Sequence, residues 1–166
     1  MPTCPAGGER PLTEGEIALV RSVFGDAINC APVRIRRRRW WWLQPRRIVM
    51  APCGHLHFPP LSEHYCEDFS EAPLEQQGLF IHEMVHVWQT QAHGRFWLLW
   101  RRHPFCRYGY ALIPGRAFEG YGVEQQAEIV RHAFLLRKGA RISGFGDRKA
   151  YDLLVTFPAA SVPRSR

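Results

Sequence analysis

The sequence predicts one α+β domain, in which a small, mostly antiparallel sheet from the first third packs on a long helix and a second long helix follows. Three observations predict it. The chain has 166 residues, 46% hydrophobic and 22% charged, which suits one globular domain with a buried core. Val33 and Ile35 alternate with Arg34 and Arg36, the period of a strand with one wet face. Two long apolar-periodic stretches, Pro73 to His93 and Phe118 to Lys138, each end at a glycine.

The elements follow in order. Residues 1–11 are rich in Pro and Gly and read as a loose arm. Thr13 and Glu16 form a capping box for a helix reaching Phe24, with Ile17, Val20 and Phe24 on one face and Gly25 as its stop. After the Val33–Arg36 strand, Arg46 to Met50 and His55 to Phe58 read as further strands, separated by Pro52-Cys53-Gly54. Leu61 to Ala72 is polar and acidic, hence a loop. Ser70 or a neighbour caps the first long helix, Pro73 suits its first turn and Gly94 its end. Phe96 to Gly115 is aromatic and Arg-rich without clear period. The second long helix buries Val123, Ala127, Val130 and Phe134. Asp147 caps a last helix through Leu154. The domain thus spans residues 12–157, with a tail at 158–166.

The charge balance is +7, and all of the 22 basic residues except Lys138 and Lys149 are arginines. No Asp or Glu lies between Asp26 and Glu63, where Arg34, Arg36 to Arg39, Arg46 and Arg47 fall. No Lys or Arg lies between Arg47 and Arg95, a gap that holds Glu63, Glu67, Asp68, Glu71, Glu75 and Glu83. The longest apolar runs, Trp40–Leu43 and Phe96–Trp100, fall far short of the ~20 residues of a membrane span. The N-terminus lacks the features of a secretory signal. The default compartment is therefore the cytoplasm, and export by a signal-independent machine is compatible with it. The five cysteines form no Cys-x-x-Cys pair, which argues for reduced thiols and against a cysteine zinc knuckle.

The first long helix contains His82-Glu83-Met84-Val85-His86. Four helical residues turn through about 400°, so His82 and His86 share one face and can reach one tetrahedral ion. Glu83 is rotated about 100° from His82. It stands beside such a metal, where it can take a proton from bound water. Two histidines and a carboxylate amid Leu79, Phe80, Ile81, Val85, Val87 and Trp88 need partners, and a metal supplies them. A zinc site needs a further protein ligand. One class of zinc hydrolase places a third histidine at position 92 and a glycine at 89. Ala92 and Gln89 stand there instead, with His93 out of register. The second long helix offers Glu124-Gln125-Gln126-Ala127-Glu128.

A His-Glu-x-x-His helix followed by a helix with Glu-x-x-Ala-Glu resembles the gluzincin metallopeptidases, in particular the single-domain minigluzincins. Gly78–Gln89 and Arg102–Gly139 also resemble short bacterial proteins called Vgr-related, a label that hints at type VI secretion and a secretion-system partner. The gluzincin resemblance implies a zincin-like fold and a zinc cofactor held by His82, His86 and Glu124. It implies Glu128 as the carboxylate that orients a ligand histidine, although Glu replaces the usual Asp. It also implies an edge strand, here His55, Leu56, His57 and Phe58, that pairs with an extended peptide or protein substrate. Such enzymes use a Tyr or His to stabilise the oxyanion. The candidates are Tyr121, Tyr110, His103 and His93, with Tyr121 placed first because it precedes Glu124 by one turn. The implied function is hydrolysis of peptide bonds by a zinc-bound water with Glu83 as general base.

Two other classes compete. One is a catalytically inactive zinc-binding adaptor in a secretion context. The other follows from Arg36-Arg37-Arg38-Arg39 and Trp40-Trp41-Trp42, since Arg binds phosphate and Trp stacks on bases or sits at a lipid interface. This would be a nucleic-acid or anionic-membrane binder with a structural zinc. The structural alternative for that block is a half-buried strand and turn, with Trp in the core and Arg stems over it.

Overall fold

The computed structural model of the chain describes residues 3–45, 48–94, 97–98, 108–142, 144 and 147–157. The elements are β1 (Glu9–Pro11), α1 (Glu14–Phe24), β2 (Arg34–Arg36), β3 (Leu56–His57), α2 (Leu74–His93), α3 (Val123–Arg137) and α4 (Arg148–Leu154). Single 3-10 turns at Phe69–Glu71 and Phe118–Gly120 precede α2 and α3. The architecture is α+β. No helix among the described residues is long and apolar enough to cross a membrane.

The sheet is mixed, in the order β1-β2-β3. β1 runs antiparallel to β2 with Arg10 opposite Ile35, and β3 runs parallel to β2 with Ile35 opposite Leu56. The expectation of a mostly antiparallel sheet is corrected on this point. The stretch from Arg36 to Leu56 is long enough for the crossover that a parallel neighbour requires. The loose arm is also corrected. Glu9–Pro11 forms β1, Gly7 and Gly8 exchange main-chain hydrogen bonds with Arg37, and Cys4 is buried with its N–H on Glu67. Main-chain pairing outweighs the flexibility that Pro and Gly would otherwise give this segment.

Glu16 explains how α1 is fastened. It closes the capping box with Thr13, and it also accepts both guanidinium nitrogens of Arg10 at 2.8 Å and the N–H of Phe69 at 3.0 Å. A fully buried carboxylate is tolerable only with such a set of donors. Asp68 caps the Phe69 turn, and α2 starts from Pro73 with no side-chain cap, so the expected cap by Ser70 or a neighbour is not made.

A column of rings carries the sheet to α2. Phe58 stacks on Phe69 at 5.3 Å and Phe69 on Phe80 at 5.0 Å, all three fully buried. Phe80 lies two residues before His82, so this column sets the depth of the histidine face. On its other side α2 packs against α3. A Cβ at Gly78 would lie 3.1 Å from Leu135 Cδ2, so the absent side chain is what lets the two helices approach. Ala127, Val130 and Phe134 of α3 are buried, as the periodicity predicts. α3 begins at Val123 and not at Phe118, because the chain first makes the 3-10 turn. The Asp147 cap on α4 is present.

The tryptophans of the basic block are not core. Trp41 is 44% and Trp42 78% exposed. Arg36 and Arg38 both pair with Glu9, and Arg37 bonds the Cys4 carbonyl and lies over the Tyr65 ring. Arg46, Arg47 and the 158–166 tail lie outside the described residues. Cys4, Cys30, Cys53 and Cys66 are free thiols.

Candidate metal centre

α2 and α3 bring His82, His86 and Glu124 together. Each offers one ligand atom, and these atoms lie within 4.8 Å of one another. All three side chains are buried, His86 completely. Nε2 of His82 lies 3.4 Å from Oε2 of Glu124, and Nε2 of His86 lies 3.2 Å from the same oxygen. The two rings are 5.1 Å apart and nearly perpendicular. Ligands at zinc-like bond lengths of 2.0–2.2 Å stand about 3.3–3.6 Å apart around a tetrahedron, close to these separations. The donor set therefore fits a small cation, and the cluster can hold a metal ion.

The electrostatics agree. Nδ1 of His82 lies 2.8 Å from Oε1 of Glu128, which Arg131 also approaches at 3.4 Å. Burial alone would lower the His82 pKa. Contacts with Glu124 and Glu128 and the charge of Glu83 outweigh it and hold that pKa at about 9. Burial would raise the Glu128 pKa, but the hydrogen bond from His82 and the charges of His82, Arg131 and His132 bring it below the ordinary value. Glu83 is buried, and its Oε2 has no hydrogen-bond partner among the described residues. Three carboxylates around two imidazoles make a site of negative potential, which favours a cation.

The remaining candidates are distributed differently. Tyr121 is buried, but its hydroxyl accepts the Ile113 N–H at 2.9 Å, Arg116 covers its ring, and it precedes α3 instead of lying on it. The Tyr110 hydroxyl is 2.5 Å from Nδ1 of His132 and 2.8 Å from the Tyr151 hydroxyl. Burial and that bond to Tyr151 push its pKa far up. His93 stacks on Trp97 at the end of α2, and His103 lies outside the described residues. Tyr108, which the sequence did not single out, stacks 6.4 Å from the His82 ring and is 53% exposed. It belongs to the aromatic stretch without period, so no pattern pointed to it.

The expected substrate strand lies inside the sheet, between β2 and Met50. His55 lies in the turn before β3, and Leu56, His57 and Phe58 are buried. The N–H and carbonyl of His57 exchange hydrogen bonds with Met50 at 2.7 and 3.2 Å, and the Phe58 N–H goes to the Arg36 carbonyl at 2.8 Å. His57 and the Phe58 N–H are thus already engaged within the sheet.

No protein-family model matches the chain. It is 43% identical over 141 residues to the type VI secretion system spike protein VgrG2b of Pseudomonas aeruginosa. That match takes in 81% of this chain and 13% of the spike protein, so the chain spans a small part of its relative's length. The solved effector domain of Pseudomonas aeruginosa VgrG2b superposes with a TM-score of 0.74 at 37% identity, over 93% of this chain and 86% of that one. The likeness to Vgr-related proteins is thereby borne out: the chain belongs to the family of the VgrG2b effector domain.

Proposed function

We propose that the chain is a zinc-dependent metallopeptidase of gluzincin type with a zincin-like active centre, acting as the effector module of a type VI secretion spike. One observation carries the reading. The Nε2 atoms of two buried histidines on a His-Glu-x-x-His helix converge on one oxygen of Glu124 at 3.4 and 3.2 Å. His82, His86 and Glu124 would hold the zinc, which when bound would supply Lewis-acid activation of a water and of the scissile carbonyl. Glu83 takes the water proton on its carboxylate and passes it to the leaving amine. Its burial keeps that carboxylate from being solvated away from the task. Glu128 holds the His82 ring. Tyr108 stands at the exposed rim over His82, the position from which a hydroxyl can meet a developing oxyanion. The secretion role is supported by the spike protein to which the chain is related.

The test joins metal analysis to activity. Purified protein is expected to hold about one zinc per chain and to cleave casein or a peptide library until a chelator is added. Glu83→Gln is expected to keep the zinc and lose the cleavage. A Glu83→Gln protein with undiminished peptidase activity overturns the assignment. A zinc-loaded wild type that cleaves nothing leaves the adaptor reading.

A further inference from the structure

The two histidines are held by different chemistry. His82 has the Glu128 carboxylate behind it. Nδ1 of His86 instead lies 2.9 Å from Oε1 of Gln89, one turn further along α2. Both His86 and Gln89 are fully buried. Gln89 Nε2 donates to the Val123 carbonyl at 3.1 Å and to Oε1 of Gln126 at 2.9 Å. Gln126 Nε2 donates to the carbonyls of Phe118 at 3.3 Å and Tyr121 at 3.0 Å.

Three main-chain carbonyls decide the direction of every group in this chain of contacts. A carbonyl only accepts. Phe118 and Tyr121 therefore require the NH₂ of Gln126, and its oxygen turns toward Gln89. Val123 and that oxygen both require the NH₂ of Gln89, so the Gln89 oxygen turns toward His86. An amide oxygen only accepts as well, so Nδ1 of His86 must carry the proton. In the neutral ring its Nε2 then keeps the lone pair on the side of the Oε2 of Glu124, where a cation between the two would relieve their repulsion. Reversing either amide would set acceptor against acceptor in a buried place, where unpaired polar atoms are costly.

We infer that Gln89 and Gln126 are positioning residues, an amide relay that carries the carbonyl pattern at the start of α3 across to His86 and fixes the tautomer a metal needs. The inference rests on the reading of His82, His86 and Glu124 as a metal centre. The relay acts without adding charge, unlike Glu128. It also fixes His86 in register with Glu124, because Val123 is the residue just before that ligand.

Long-range ¹H–¹⁵N NMR of the metal-free full chain, at a pH where the ring is neutral, reads the tautomer directly. His86 is expected as Nδ1–H. Gln89→Leu is expected to lose this preference and to weaken zinc binding about 10- to 100-fold in chelator competition, the usual cost of removing such a support. Gln89→Glu keeps an acceptor facing the ring and is expected to keep the tautomer. An Nε2–H tautomer in the wild type overturns the inference, and that measurement needs no variant to fold. Unchanged tautomer and zinc affinity in a folded Gln89→Leu protein also overturns it, while leaving the metal reading intact. An Nδ1–H tautomer in a wild type that binds no zinc supports the relay and counts against the metal reading.

Discussion

Oε1 of Glu128 lies 2.8 Å from Nδ1 of His82 and 3.4 Å from a guanidinium nitrogen of Arg131, so one carboxylate is shared between a buried imidazole and a half-buried guanidinium. The sharing holds Glu128 ionised, since burial favours its neutral form and both partners favour the charged one. Glu128→Ala should release the His82 ring and weaken zinc binding about 10- to 100-fold. Arg131→Ala should weaken it much less, because at the centre Arg131 reaches only the Glu128 carboxylate, its other pairing being with Glu75. Chelator competition on both variants checks the order of the two effects.

Tyr108 and Tyr121 are separated by their surroundings. The Tyr121 hydroxyl is taken by the Ile113 N–H inside the fold, while the Tyr108 ring lies against His82 at the surface. Tyr121→Phe should cost about 1 kcal/mol of stability through one lost buried hydrogen bond. Tyr108→Phe should lower kcat by about 10²-fold or more, the scale of losing an oxyanion donor, with little change in Tm. A larger kcat loss at Tyr121 would reverse the two roles.

Gly78 faces two opposing effects. Alanine gains about 1 kcal/mol in a helix interior over glycine, yet its Cβ would stand 3.1 Å from Leu135 Cδ2. A small shift of that flexible methyl accommodates it, so Gly78→Ala should be near neutral in thermal melts. Gly78→Leu cannot be accommodated so. Overpacking should cost about 1–3 kcal/mol and push α2 off α3, which should weaken zinc binding as well.

His57 gives a pH signature away from the His82–His86–Glu124 cluster. Burial first, and then the charge of Arg36, lowers its pKa from 6.5 to about 4. The unfolded chain therefore takes up a proton between those values that the folded chain refuses. The associated stability is whole above about pH 6.5 and is lost as pH falls toward 4. The urea midpoint of the wild type should drop between pH 7 and pH 5 by more than that of His57→Leu. Equal drops would show that His57 does not titrate in this way.

The parts of the protein that local pattern dictates were legible. The Thr13–Glu16 cap, the glycine stops and the His82–His86 face each depend on residues within a turn of one another. Glu124 was reached because its spacing and helix followed a known arrangement. Long-range pairing was not legible. Nothing near Glu9 announces Arg36 as its partner, and the second duty of Glu16, on Arg10 and Phe69, comes from tertiary contact. Gln89 and Gln126 carried no signal at all, because glutamine on a helix is ordinarily solvated and only the closing of α2 on α3 buries them.

The ligand atoms of the centre all belong to two helices locked by Gly78 and the ring column, whereas Tyr108 belongs to the stretch of chain that joins those helices. The metal-ligating atoms and the proposed oxyanion donor are thus carried by separate segments. Exchanging residues 108–117 between members of this family should leave metal affinity in chelator competition unchanged, so the connecting segment can vary among relatives without rebuilding the ligand cluster.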